Sequence, residues 1–394
     1  MVRLFKEWKI GKDIEEELFM YVLGGGNMTA LFIAFLISLV ASIFSIPLII
    51  KLAKRFEIVD KPNKRNVHNT PVPSLGGLAI IAGTAAGLLY LNLENQYLYP
   101  VIIGAIIIIL TGILDDKYNV SAKLKFPLQL VAASVVVTSG IMINSIDLPF
   151  VGGVELGIFS YIISVLWIVG VTNSINLIDG LDGLAGGVAV IAISSIVVMA
   201  IIDPGNHLFI ISLSVLLIGS TLGFLLFNFH PAKIFMGDTG ALFLGYSIAV
   251  ISILGLFKSV TVFSLLIPII ILAVPIFDTV FAIIRRTLNK QKIYMADKGH
   301  LHHCLLSMGY SHRKTVLIVY GFSFFFGLCA ILFTNTTLWA SLLLLTVLLV
   351  VVEVYAEFIG LMGQERQPLI NAMKRIFLSE ETPIRSKRVF NPKR

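Results

Sequence analysis

Long apolar runs broken by short polar stretches organise this chain. Eleven runs approach the ~20 apolar residues that a membrane-crossing helix needs: about 28–50, 75–91, 98–114, 124–142, 157–174, 184–202, 207–227, 240–257, 262–284, 315–333 and 337–359. Breaks such as "LNLENQ", "DPGN" and "FTNTT" separate them, and no long-period repeat is visible. The pattern predicts an all-α polytopic membrane protein of about eleven transmembrane helices. Pro47, Pro268 and Pro275 fall inside runs and predict kinks. Three regions follow: an N-terminal amphipathic segment over 1–27, a membrane domain over 28–360, and a basic tail over 361–394.

Composition strengthens this class. The 394 residues are 57% hydrophobic and 13% charged, whereas a soluble domain carries about 25% charged residues. Two cysteines, Cys304 and Cys329, are too few for a disulfide framework and lack metal-type spacing. Residues 1–27 lack the charged head, apolar run and small-residue site of a cleavable signal, and 4–19 read as an interfacial helix.

Charge then orients the runs. Loops after odd-numbered runs hold "KRFEIVDKPNKRNVHNTPVPS", "DDKYNVSAKLK", "NFHPAKIFMGD" and "RRTLNKQKIYMADKGHLHHCLLSMGYSHRK", while Lys258 is the one cation in loops after even-numbered runs. Lys and Arg accumulate on the cytoplasmic side, so the odd loops and the C-terminus are expected there, in a cell (inner) membrane, with the N-terminus outside. Arg3, Lys6, Lys9 and Lys12 oppose that parity, but five acids in the same segment offset them.

Every polar cluster sits at the same predicted face. "NSINLIDGLDGLAGG" places Asn173, Asn176, Asp179 and Asp182 at steps of three. Each step drifts about 60° on a helix, so Asn173, Asn176 and Asp179 share one face, and Gly180 and Gly183 favour a break that leaves Asp182 on a turn. Amide and carboxylate oxygens on one face suit a hard cation such as Mg²⁺, or a phosphorylated ligand held through it; a polar helix end capped by Asn and Asp is the plainer reading. "LDDK" ends the third run with Asp115 and Asp116, about 100° apart on a helix, so one is expected to face the site. Lys117, Lys123 and Lys125 follow; a solvated acidic pair beside inward-facing lysines is the alternative.

"FMGDTG" sets Asp238 and Thr239 between Gly237 and Gly240, a tight turn whose helix start favours anions, or an ordinary Asp cap. "DKGHLHH" offers Lys298, His300, His302 and His303; without HExxH, a Cys or an i,i+4 His pair they suit phosphate better than zinc, or are solvated. Asp278 stands two turns before Arg285 inside the ninth run, where a carboxylate faces a cavity or a structural partner.

In these motifs and their order the chain resembles the polyprenyl-phosphate N-acetylhexosamine-1-phosphate transferase family of glycosyltransferase 4 type. The resemblance spans about residues 45–315 through "DKPNKRNVHNTPVPSLGG", "LDD", "NSINLIDGLDGLAGG", "FNFHPAKIFMGDTG" and "ADKGHLHH". "HNTPVPSLGG", "HLHH" and "PIFDT" look like the undecaprenyl-phosphate GlcNAc-1-phosphate branch. The rival branch, phospho-MurNAc-pentapeptide transfer, shows a "TPTMGG" loop and three consecutive histidines.

The resemblance implies transfer of GlcNAc-1-phosphate from UDP-GlcNAc to undecaprenyl phosphate with release of UMP, the first membrane step of teichoic-acid or O-antigen type synthesis, in a cytoplasmic-face cleft. It implies Asp238 and Asn176 as ligands of Mg²⁺, with Mn²⁺ the alternative ion. Asp115 and Asp116 become the acidic pair beside the lipid phosphate, and with Asp179 and Asp182 the candidate catalytic carboxylates. Asp179 and Asn228 fall where the nucleotide is held, His302 and His303 where its phosphates are bound, and Lys125 near the lipid phosphate. Asn173, Asp278, His300 and Lys298 complete the expected substrate-binding set; Lys298 stands where the family carries arginine, losing bidentate geometry. UDP-GlcNAc and undecaprenyl phosphate are the expected partners, with no nucleic acid and a homodimer left open. A transporter is the competing class, as is another UDP-N-acetylhexosamine within the family.

Overall fold

The computed structural model describes residues 26–60, 71–148, 152–203, 205, 207–255, 265–292, 299–334, 336 and 338–358. The amphipathic segment (its residues 26 and 27 apart), the basic tail and Lys298 lie outside the described residues. Helices α1 (Gly26–Arg55), α2 (Gly77–Leu91), α3 (Leu98–Tyr118), α4 (Ala122–Thr138), α5 (Phe159–Ile178), α6 (Leu184–Ile202), α7 (Leu208–Asn228), α8 (Gly237–Leu254), α9 (Leu266–Ile271), α10 (Ala273–Leu288), α11 (Leu301–Ser307), α12 (His312–Thr334) and α13 (Leu338–Phe358) form the body.

Each predicted run meets a helix, but eight are long and apolar enough to cross a bilayer: α1, α3, α5, α6, α7, α8, α12 and α13. At ~1.5 Å per residue, the 15 residues of α2 fall short of a hydrocarbon core of about 30 Å; α4, with 17 residues, contains Pro127. The ninth run is broken into α9 and α10. Pro275 has no N–H for the carbonyl of Ile271, and α9 ends at that residue.

Two hairpins were not expected. β1 (Val59–Asp60) pairs antiparallel with β2 (Val72–Pro73), and β3 (Ser145–Leu148) with β4 (Gly152–Glu155). β2 also fastens the segment ahead of α8: Phe235 N–H donates to Pro73 O at 2.8 Å, and Gly76 and Gly77 N–H groups donate to Phe235 and Met236 carbonyls at 2.8 Å.

α8 is the central post. Every residue from Thr239 to Ile253 is buried, and α2, α3, α5, α6 and α7 surround it. Small residues allow that approach. A Cβ on Gly77 would lie 2.2 Å from Gly240 Cα, and one on Gly112 would lie 2.4 Å from Thr239 Cα. Where an apolar solvent provides no hydrophobic drive between helices, such close backbone packing holds them together. The outer helices show the converse pattern: α1 buries Ala34, Ser38, Ser42 and Ile46 while exposing Phe32, Leu36, Phe44 and Leu48, an apolar outward stripe suited to lipid.

Gly77→Ala is expected to destabilise the bundle by about 1–3 kcal/mol, as overpacking does, and to lower the thermal unfolding midpoint of the detergent-purified protein. Gly170→Ala, where an added Cβ meets nothing within 4 Å, is the control and should leave the midpoint unchanged or slightly raised.

Candidate active site

The polar clusters converge at one end of the bundle around a cavity of about 670 Å³. The last turn of α3 brings Asp115 and Asp116, α5 brings Asn176, the α5–α6 turn brings Asp179 and Asp182, and α8 brings Asp238; Asp60, Ser74, Asn119, Asn228, His230, Phe235, His303 and His312 also line it. The break after α5 is as expected: the helix stops at Ile178, and Gly183 holds φ +79° at the start of α6.

Asp115 and Asp116 divide their work. Asp116 Oδ1 accepts the Asp238 N–H at 2.8 Å, while Oδ2 accepts the Thr239 N–H at 3.0 Å and the Thr239 hydroxyl at 2.6 Å. The carboxylate therefore caps α8 from a different helix, satisfying first-turn donors that have no partner within their own helix. Gly237, at φ +72°, makes room for it, since a Cβ there would sit 2.7 Å from both Asp116 oxygens. This corrects the expectation that the α8 start receives substrate anions: two of its N–H groups are spent on Asp116. Asp115 is buried and forms an ion pair with Lys125, whose Nζ is also 3.6 Å from Asp238 Oδ2.

Asp238 is joined by the Asn176 side-chain amide, which hydrogen-bonds Oδ1. Asp179 stands among Asp238, Asp116 and Asp182; loss of water, then those three charges, push its carboxyl up to about 8. A carboxylate held this way is short of positive charge. The donors Asp238, Asp179 and Asn176 (its amide turned to present oxygen) are hard oxygen ligands, so the residues fit a Mg²⁺-type ion.

Other expected residues lie elsewhere. Asn173 turns away from the cavity and donates to Gln129 Oε1 at 2.6 Å, tying α5 to α4. Asp278 and His300 are buried against each other, outside the lining, with Asp278 Oδ2 2.8 Å from His300 Nδ1. His302 is buried outside the lining, and loss of water, then neighbouring His303, lower its imidazole to about 3, which disfavours the cationic form. Asn228 lines the cavity, but its amide braces the turn, accepting the Gly183 N–H and donating to Ile234 O, both at 2.9 Å.

Two histidines were missed. His230 Nδ1 lies 2.8 Å from Asp182 Oδ2, its ring stacks on His312 with centroids 4.2 Å apart, and Ala232 N–H donates to the same Asp182 oxygen at 3.1 Å. His230 lay inside the "FNFHP" stretch, but a single histidine beside proline carries no spacing signal. His312 sits nine residues past His303 among loop cations that read as topology.

Comparison with known proteins gives the family. Residues 98–256 match glycosyl transferase family 4. A Bacillus subtilis protein described as a probable undecaprenyl-phosphate N-acetylglucosaminyl 1-phosphate transferase is 49% identical over 352 residues, 89% of this chain and 98% of that protein. A Mycobacterium tuberculosis decaprenyl-phosphate N-acetylglucosaminephosphotransferase is 33% identical over 299 residues, 68% of this chain and 74% of that protein. The Escherichia coli undecaprenyl-phosphate alpha-N-acetylglucosaminyl 1-phosphate transferase is 27% identical over 278 residues, covering 68% and 74%.

Two outcomes test the electrostatics. In Asp116→Ala the amides of Asp238 and Thr239 should exchange hydrogen at least about tenfold faster, since a charge-assisted bond contributes about 1.5–3 kcal/mol. Asp179 binds its proton up to about pH 8 when folded against an ordinary 3.8, so folding takes up a proton between those values and stability falls as pH rises through that window. With a chelator present, Asp179→Asn should flatten the decline of the unfolding midpoint between pH 4 and pH 8.

Proposed function

The chain belongs to glycosyl transferase family 4, and from that membership we propose that it transfers GlcNAc-1-phosphate from UDP-GlcNAc to undecaprenyl phosphate, releasing UMP, as an early membrane step of surface-glycan synthesis. The observation that carries the reading is the convergence of Asp115, Asp116, Asp179, Asp182 and Asp238 with Asn176 on one cavity at one end of a membrane bundle, with Lys125 paired to Asp115 beside it. The names of the relatives in Bacillus subtilis and Escherichia coli favour N-acetylglucosamine and undecaprenyl phosphate over the pentapeptide branch. The loops rich in Lys and Arg support a cytoplasmic position for this end, where a soluble nucleotide sugar would meet a lipid phosphate held in the bilayer.

Asp238, Asp179 and Asn176 would hold Mg²⁺. When bound, the ion supplies neutralisation of pyrophosphate charge. The chain's own residues then act by placement. An oxygen of the lipid phosphate forms a bond to the β-phosphorus of UDP-GlcNAc, the bond from that phosphorus to the bridging oxygen breaks, and UMP leaves with the electron pair.

A phosphate monoester has its second pKa near about 6 and an ordinary carboxylate near about 4, so the nucleophile needs no base of that strength. The Asp115–Lys125 ion pair supports a positioning role instead. Lys125, between Asp115 and Asp238, is placed to attract the incoming phosphate. Asp116 acts on the reaction through Asp238, by fixing the first turn of α8. His303, His230 and His312 edge the cavity where they could orient polar groups of the nucleotide sugar.

Purified protein incubated with undecaprenyl phosphate and a panel of UDP-sugars, with and without Mg²⁺, should release UMP with UDP-GlcNAc in the presence of Mg²⁺. Asp238→Asn should reduce that release by at least about 100-fold, the scale of losing one electrostatic contact to developing charge. Most activity retained in Asp238→Asn would remove the metal assignment, and release with none of the sugars would remove the function.

A further inference from the structure

Asp278 is the one carboxylate of the expected site that lies outside the cavity, and the structure gives it a different occupation. It is 3% exposed on α10. Its Oδ1 accepts the N–H of Leu301 at 2.9 Å and its Oδ2 lies 2.8 Å from Nδ1 of His300. Leu301 is the first residue of α11, so a side chain of α10 caps that short helix.

His300 passes the placement onward. Its ring lies parallel to that of His302, with centroids 5.9 Å apart and planes 10° apart, and His302 meets His303 at 4.3 Å. His303 lines the cavity. His302 presses on the opposite side against Gly180, where an added Cβ would sit 2.4 Å from its Nε2. Gly180 lies between Asp179 and Asp182 in the acidic turn. One buried carboxylate is thus connected by direct contacts to a cavity histidine and to the turn that carries two cavity carboxylates.

We propose that Asp278 is a positioning residue: through His300 and the cap on α11 it sets His303 and the acidic turn at working distance, without touching substrate. A buried carboxylate is costly unless it is hydrogen-bonded, and one whose acceptor oxygens are both used on a single loop fixes that loop's height and rotation. Gly180 is the matching requirement on the other side, because His302 needs the space a side chain would occupy. The consequence rests on the transferase reading for its substrates; the placement does not.

The test has two arms. Hydrogen exchange of the substrate-free protein should show residues 299–307 exchanging at least about tenfold faster in Asp278→Ala than in the wild type. In steady-state transfer, Asp278→Ala should raise the KM of whichever substrate His303→Ala affects, by about tenfold, with a smaller change in kcat. Gly180→Ala should follow the same pattern, and Asp278→Ala combined with His303→Ala should be little worse than His303→Ala alone, since contacts acting through one another are non-additive.

Should Asp278→Ala fail to fold, Asp278→Asn serves: it keeps an acceptor for Leu301 and puts an N–H₂ group at His300, so an intermediate KM is expected. Additive effects, a KM change confined to the other substrate, or unaltered exchange over 299–307 would overturn the proposal. Absence of UMP release from the wild type would sink the transferase reading, while the exchange arm would still decide the placement of the loop.

Discussion

The grip of Asp116 on the first turn of α8 is the contact on which the rest of the site depends. Asp238 can face the cavity only if the start of its helix is fixed in height and rotation, and the N–H groups there have no partners of their own. A carboxylate from α3 answers both needs with three short hydrogen bonds. It also brings like charges together, because capping with Asp116 puts a second carboxylate beside Asp238. That repulsion is relieved by a proton or by a positive charge. Lys125 supplies part of the compensation through Asp115 and Asp238, and the shielded Asp179 has none of it.

The same post explains why small residues crowd this end of the bundle. Gly77 and Gly112 meet the backbone of Gly240 and Thr239 with no room for a methyl group. Close backbone approach keeps the acidic helix ends near enough to share one ligand. The "PVPSLGG" stretch contributes through its backbone, hydrogen-bonding the Phe235–Met236 segment ahead of α8. Its place among the motifs therefore has a mechanical account, independent of any side-chain chemistry.

Much of this was legible in the sequence. The helices follow from run length, and the break between α9 and α10 from Pro275, because both are local properties. The hairpins were not legible: strands of two to four residues give too few positions to show alternation. Convergence of Asp115, Asn176, Asp179, Asp182 and Asp238 followed from all motifs sharing a predicted face. What the sequence could not resolve was rotation. Asn173 and Asn176 differ by about 60° on a helix, enough to turn Asn173 onto Gln129 while Asn176 meets Asp238. Helix geometry led us to expect one of Asp115 and Asp116 to face the site, yet both line the cavity, since neighbouring elements approach from two sides. Asp278 and His300 carry the residue types of a binding site, and only tertiary packing reveals that they spend them on each other.

Charge accounting indicates what the cavity can accept. Phosphorylated substrates of the proposed kind would bring negative charge to a wall lined by Asp115, Asp116, Asp179, Asp182 and Asp238. Two unit charges 4 Å apart repel by about 4 kcal/mol at an effective dielectric constant near 20, so a second and third anion cannot enter unassisted. Lys125 is already engaged by Asp115, and burial disfavours the cationic form of His302. A hard divalent ion, which Asp238, Asp179 and Asn176 would hold, would supply the positive charge that such anions need. Oxygen-rich walls, one shared lysine and imidazoles at the edge are what such an arrangement requires. A site meant to bind anions by side chains alone would have carried arginine where this one carries aspartate.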